Sequence, residues 1–120
     1  MRLVYLAAVY LAAPVISAML ALRGLRDRSY WRNFGERFGF GPPVARSPIW
    51  VHAVSVGEVQ AAAALVLALR QRYPQTPVLV TTFTPTGAAR ARASLREAAE
   101  VRFLPFDLPG SVRRFLDRAR

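Results

Sequence analysis

The 120-residue sequence is the length of one domain or less, and at 53% hydrophobic residues it is too apolar for a disordered tail. It has no cysteine and one histidine, which excludes a disulfide framework and a thiolate metal centre, and excludes a zinc site or histidine pair built from this chain alone. The formal charge is +10 and all 17 basic residues are arginine, whose permanent charge and planar fork suit phosphate, so an anionic partner is expected: nucleic acid, an anionic membrane surface or a phosphorylated substrate.

The first element is apolar. Leu3 to Leu22, "LVYLAAVYLAAPVISAMLAL", is a run of twenty residues without a charge. A helix of that length measures roughly 30 Å, the thickness of a bilayer's hydrocarbon core. Pro14 is tolerated in such a helix and bends it. A cleaved signal peptide is the competing reading, but the run exceeds the usual span of about 7 to 15 residues and no small-x-small site precedes Arg23. Residues 1–22 therefore read as an uncleaved membrane anchor, spanning the bilayer or lying in its interface. One arginine precedes the run, whereas Arg23, Arg26, Arg28, Arg32 and Arg37 follow it, which places the remainder on the cytoplasmic side.

Residues 23–41, "RGLRDRSYWRNFGERFGFG", interleave arginines with Tyr30, Trp31, Phe34, Phe38 and Phe40. That composition suits anionic headgroups, with rings at the interface and guanidinium groups on phosphate. It also suits a helix that packs its aromatics on the domain that follows. Membrane lipids are thus the expected partner, and nucleic acid is not. The breaker cluster "GFGPPVARSP" (39–48) closes this membrane-proximal segment and linker, residues 23–47.

From residue 48 onward strand and helix patterns alternate. "IWVHAV" (49–54) reads as a strand and "GEVQAAAALVLALRQRY" (57–73) as a helix. "PVLVTTF" (77–83) is a second strand, and "TPTGAARARASLREA" (84–98) opens with the Thr-Pro of a helix start. "VRFLPF" (101–106) and "PGSVRRFLDRAR" (109–120) complete a third pair. Helix-length crossovers between strands predict an α/β fold with a partial Rossmann-like parallel sheet over residues 48–120. Three strands leave edges that a stable domain pairs or covers, so the sheet is expected to be truncated.

One junction stands out. In "WVHAVSVGEVQAA" the strand turns into the helix at "SVGE", and Glu58 is the only acid between Glu36 and Glu97. Ligands of an open parallel sheet bind beyond the carboxyl ends of its strands. Gly57 would let the backbone turn or a ligand approach, Ser55 would cap the helix, and Glu58 would sit in its first turn, where the macrodipole favours a carboxylate. From spacing alone, a purely electrostatic first-turn acid is the plainer explanation of Glu58. Neither "GxGxxG" nor "GxxxxGK[ST]" occurs, and no metal motif is present.

Three separated motifs in order carry a resemblance: "WVHAVSVGEVQAA", "RYPQTPVLVTTFTPTGAARA" and "FLPFDLPGSVRRFLDR", with "GERFGF" (35–40) ahead of them. Together they resemble the amino-terminal domain of the lipid A-specific 3-deoxy-D-manno-octulosonic acid (Kdo) transferases, over essentially the whole chain. The resemblance implies the first half of a GT-B fold, two Rossmann-like domains facing each other across a cleft. It implies an inverting transfer of Kdo from CMP-Kdo to the lipid A precursor at the bacterial inner membrane, on the cytoplasmic side, in lipopolysaccharide biosynthesis. No cofactor is implied, because CMP-Kdo is a donor substrate held by the carboxyl-terminal nucleotide-binding domain. That domain and the family's second glutamate motif lie outside these residues, so the isolated chain is expected to be inactive. The family's general base is the glutamate of "SVGE", here Glu58.

Acceptor contacts are expected from Ser55, Gly57, Thr84, Thr86 and the amide of Gly87, with Arg32 and Arg37 near lipid phosphates. Turn formation, capping and general headgroup attraction are the plainer explanations of these residues. His52 reads as a packed strand residue and Asp107 as a turn or cap for the last helix. Two rivals remain: a non-catalytic, membrane-anchored module that binds anionic lipid, and another GT-B enzyme using a UDP-sugar.

Overall fold

The computed structural model describes residues 1–44 and 46–120; Ala45, inside the predicted 39–48 linker, lies outside them. The apolar run forms one helix, α1 (Arg2–Gly24), with Pro14 inside it. Two short 3-10 turns follow at Arg28–Tyr30 and Phe34–Phe38. Strands β1 (Ile49–His52), β2 (Val78–Thr82) and β3 (Glu100–Phe103) then alternate with helices α2 (Val56–Arg72), α3 (Pro85–Leu95) and α4 (Pro109–Arg118). Helix α3 is shorter than the expected 84–98. The chain leaves the helix at Arg96, whose φ of 46° is left-handed, and closes with a 3-10 turn through Ala98.

All three strands are parallel, in the order β1-β2-β3. Ile49 pairs with Val78 and His52 with Thr81, while Leu79 pairs with Glu100 and Thr82 with Phe103. The central strand β2 is buried throughout, as a parallel strand covered on both faces must be. On one face Val59 and Val66 of α2 and Ala88, Ala91 and Leu95 of α3 close a core over Val78, Val80, Val101 and Phe103. Helix α4 lies on the other face, where the rings of Phe115 and Trp50 are 5.2 Å apart. Helices α2 and α3 on one side and α4 on the other form a partial Rossmann-like sheet, in which α4, following β3, packs back against Trp50 of β1.

The two sheet edges differ. At the outer edge of β3, the Phe103 N–H donates to Glu36 Oε2 (2.8 Å) and the Arg92 guanidinium reaches the Val101 carbonyl (3.5 Å). The edge is therefore closed by side chains, one way proteins blunt an unpaired strand. Strand β1 has no second strand neighbour among the described residues.

Much of the segment expected against the membrane lies under the sheet instead. Phe38 stacks edge-on with Phe106 (5.3 Å between centroids), Arg114 Nε donates to the Phe38 carbonyl (2.9 Å), and the Val44 N–H donates to the Arg118 carbonyl (2.8 Å). Gly39 (φ 81°) makes this possible, since a Cβ there would stand 2.3 Å from the Ser111 carbonyl oxygen. Trp31 and Phe40 remain exposed.

Glu36 is the titratable member of the β3 edge. Burial raises its carboxyl above the ordinary 4.5, while the Phe103 N–H, Arg92 and Arg102 pull it down and Glu100 pushes it further up. A raised carboxyl binds its proton more tightly folded than unfolded, so its ionisation penalises folding. That penalty is absent below pH 4.5 and sets in as pH rises through the folded-state value. Glu36→Gln, whose amide oxygen can still accept from Phe103, should gain stability relative to the parent chain as pH rises from about 4 to about 7 in denaturant melts. Glu36→Ala should lose roughly 1–3 kcal/mol at every pH, because it leaves the buried Phe103 N–H unpaired. A pH-independent difference between Glu36 and Gln would contradict the burial argument.

Candidate active site

The carboxyl ends of three parallel strands emerge on one edge of the sheet, and the amino termini of α2 and α3 meet there. Two helix starts present unpaired N–H groups and partial positive charge along that edge. Ser55 occupies the cap position of α2 in extended backbone, but its hydroxyl makes no capping hydrogen bond. Glu58 instead reaches back past the cap position, its Oε2 accepting the Val54 N–H at 2.8 Å. The acid three positions into the helix reaches back to the main chain, a variant of half a capping box.

The position of that bond matters. Val54 lies just beyond β1, where its carbonyl accepts the Phe83 N–H (3.1 Å) while its own N–H goes to Glu58. Glu58 is thereby held just beyond the carboxyl end of β1. It is exposed, and among the described residues only Oε2 is engaged. Gly57 precedes it in ordinary helical backbone; a Cβ there would meet nothing within 4 Å. The expected turn role of Gly57 is therefore corrected: it sits inside the first turn of α2, with open space beside it.

The α3 start is built differently. Thr84 Oγ1 accepts the Gly87 N–H (3.0 Å), and Thr86 Oγ1 lies 3.4 Å from the same hydroxyl. Gly87 is buried against the Ser55 loop, where an added Cβ would stand 2.8 Å from Thr84 Oγ1 and 3.4 Å from the Ser55 carbonyl carbon. Its amide is thus committed to the cap and is not free for an acceptor phosphate. Thr86 is the exposed hydroxyl of this turn. The structure brings Ser55, Thr84 and Gly87 together as the packing that sets two helix starts side by side, and leaves Gly57, Glu58 and Thr86 facing outward.

The remaining expected residues lie apart from this group. Arg32 is exposed in the turn after α1. Arg37 is fully buried, which corrects the expectation of a headgroup contact. Its Nη2 donates to the Phe83 carbonyl (2.8 Å), its guanidinium carbon lies 4.2 Å from the centre of the Phe103 ring, and its own carbonyl accepts the Phe106 N–H (2.7 Å). Burial lowers its pKa, and the adjacent Glu36 works in the opposite direction. His52 is exposed rather than packed in the core, because it shares a strand face with Trp50 at the sheet edge. Its Nδ1 lies 2.9 Å from Thr81 Oγ1, which also accepts from Trp50 Nε1–H (2.9 Å). Asp107 does not cap α4, whose cap position is Leu108; it accepts the hydroxyl of Tyr5 from α1. Among the described residues no group of three or more His, Asp or Glu could hold a metal ion.

Sequence reasoning missed Glu36 as an edge cap and Val54 as the anchor of Glu58. Both act through main-chain N–H groups, and the legible signal for each was an isolated acid beside a glycine.

The family model for 3-deoxy-D-manno-octulosonic-acid transferase (kdotransferase) matches residues 32–120. A 3-deoxy-D-manno-octulosonic acid transferase of Haemophilus influenzae is 37% identical over 119 residues, covering 97% of this chain and 28% of the relative. The Bordetella pertussis protein of the same name is 40% identical over 131 residues, covering 98% of this chain and 29% of that relative. A probable mitochondrial 3-deoxy-D-manno-octulosonic acid transferase of Arabidopsis thaliana is 32% identical over 115 residues, with 93% and 26% covered. The chain thus spans under a third of these relatives' lengths. No solved structure gives a significant match.

The two helix-start glycines should respond in opposite ways to the same change. Gly87→Ala displaces the Thr84 cap and should cost about 0.5–2 kcal/mol. Gly57→Ala fills open space in a helical turn and should stabilise the fold by roughly 0.4–1 kcal/mol. Thermal unfolding of both variants checks this; equal effects would contradict the packing described.

Proposed function

This chain belongs to the 3-deoxy-D-manno-octulosonic-acid transferase family, and from that membership we propose that it is the acceptor-side part of a GT-B enzyme transferring Kdo from CMP-Kdo to a lipid A precursor. The observation that carries the proposal is the Glu58 carboxylate, pinned by the Val54 N–H at the carboxyl end of β1. Ligands of an open parallel sheet bind beyond the carboxyl ends of its strands.

In this reading Glu58 is the general base. The N–H bond fixes Oε2, and Oε1 takes the proton from the acceptor's primary sugar hydroxyl. That oxygen attacks the anomeric carbon of Kdo from the face opposite the phosphate, the bond from carbon to phosphate oxygen breaks, and CMP leaves with its electron pair. Configuration inverts. Holding the base on a helix start rather than a mobile loop limits the geometry it can sample, which favours proton transfer in the transition state. Gly57 leaves room for the acceptor beside the carboxylate, and Thr86 offers it a hydroxyl. Arg32 and the other exposed arginines after α1 attract the phosphates of an anionic lipid. CMP-Kdo is a substrate of the carboxyl-terminal nucleotide-binding domain in this scheme; no cofactor or metal takes part, and nucleic acid is no partner. The work takes place at the cytoplasmic face of the bacterial inner membrane. Without the nucleotide domain the 120 residues alone transfer nothing.

The exposed apolar side of α1 and its flanking arginines also support a second reading, a membrane-anchored module that binds anionic lipid without catalysis. Kdo transfer to lipid A precursor in detergent micelles by the full-length enzyme separates the two. Glu58→Gln keeps an oxygen for the Val54 N–H, so it should leave acceptor binding intact and lower the rate by about 10² to 10⁴. An unchanged rate would return Glu58 to a helix-capping acid. Binding without any transfer by the unaltered enzyme would favour the module.

A further inference from the structure

Helix α1 is apolar on every side, yet its two sides are used differently. Leu6, Val9, Ala13, Ile16, Leu20 and Gly24 are buried or half-buried, at spacings of three and four residues along the whole helix. The amino-terminal part and middle of this stripe face the domain, and its carboxyl-terminal end packs on the turn that follows α1. At the amino-terminal end Tyr5 donates its hydroxyl to Asp107. In the middle Val9, Ala13 and Ile16 face Phe83, Leu104 and Phe106 across a cleft of about 290 Å³. At the carboxyl-terminal end Trp31 Nε1–H donates to the Ala21 carbonyl at 2.9 Å. The opposite side, Val4, Leu11, Val15, Met19 and Leu22, is 46–74% exposed.

A helix that crosses a bilayer leaves its domain at one end. Over the nineteen positions from Tyr5 to Gly24 it would travel about 29 Å. The Trp31 contact would accompany a spanning helix, but to keep the Tyr5 contact that helix would carry the Asp107 carboxylate and the adjoining loop into hydrocarbon, where a charge is strongly disfavoured. The arginines fit the other geometry. Arg2 precedes the exposed side, and Arg23 and Arg26 flank the groove formed by Val15, Met19 and Leu22, so cations sit at both ends of one apolar face. This is the pattern of a helix lying at a boundary between acyl chains and anionic headgroups.

We propose that α1 is an in-plane anchor: it lies along one leaflet of an anionic membrane with Val4, Leu11, Val15, Met19 and Leu22 among the acyl chains, and both of its ends stay on the same side. The loops it rests on follow β2 and β3, so the carboxyl edge of the sheet, with Glu58, is held at headgroup level. A lipid acceptor then reaches the base without leaving its leaflet. The inference rests on the membrane-anchor reading and is independent of the transfer chemistry.

The chain has no cysteine, which gives a clean background for spin labels. Val4→Cys, Leu11→Cys and Leu22→Cys would be labelled in the 120-residue chain and reconstituted into vesicles of phosphatidylethanolamine and phosphatidylglycerol. Depth is then read from relaxation by oxygen against a water-soluble nickel chelate. The in-plane anchor places all three labels at one shallow depth, about 5–10 Å into the headgroup and acyl boundary. A spanning helix places Leu11 roughly 10 Å or more deeper than Val4 and Leu22, which overturns the proposal and leaves the anchor standing. Three labels fully open to the chelate would overturn both.

Discussion

A single buried guanidinium ties the molecule together. Arg37 comes from the segment between α1 and the sheet, and it lies between the rings of Phe103, at the end of β3, and Phe83, just beyond β2. It holds the Phe83 carbonyl with its side chain and the Phe106 N–H with its own backbone. Removing that charge from water is costly, and the return is one charge-assisted hydrogen bond, two aromatic faces and the adjacent Glu36 carboxylate. Its Nε and Nη1 have no hydrogen-bond partner among the described residues, which adds to the cost. What it secures is the shape of two loops at the carboxyl edge. Those same loops are the seat of α1, so the position of α1 depends on a side chain that is fully buried.

Fixing that edge has consequences for the site. Parallel strands send all their carboxyl ends one way, and ligands of an open parallel sheet bind beyond those ends; β1 has no second strand neighbour there among the described residues. Glu58 occupies that place and satisfies the Val54 N–H there. The close approach of Gly87 to Ser55 sets the starts of α2 and α3 side by side. Gly57 requires nothing of the fold, since no atom lies within 4 Å of its absent Cβ. A glycine kept in a helical turn at some cost to stability, next to the one exposed acid of the edge's first turn, is understandable if the space beside it is used by a ligand.

Most of the fold was legible because it rests on local pattern. The uncharged run of α1, the β-branched run "PVLVTTF" and the Thr-Pro start of α3 each carry their own periodicity or cap, and the structure follows them to within a few residues. Glu58 was legible for the same reason, as a first-turn acid at a strand-to-helix junction. What escaped was set by tertiary contact. "GERFGF" has the composition of a surface segment, and nothing local reveals that Gly39 lets the chain press against Ser111 and bring Arg37 under the sheet. His52 reads from the sequence as a core residue because its strand is apolar, but the strand lies at an edge and His52 falls on the face shared with Trp50. Asp107 looked like a cap, and its partner Tyr5 lies 102 residues away. A charged side chain alone does not say whether it meets water or a distant backbone group.

The central claim is that the exposed surface around Glu58, at the carboxyl end of β1, receives the lipid acceptor. Its most direct test is a titration of the ¹⁵N-labelled chain in micelles with a short-chain, bisphosphorylated glucosamine disaccharide lipid, followed by amide chemical shifts. The account predicts that Val54, Gly57, Glu58 and Thr86 move together and saturate, while Thr81 in the sheet and Leu116 on the outer side of α4 stay in place. Shifts confined to the arginine-rich turns after α1, with Val54 to Glu58 unmoved, would contradict it.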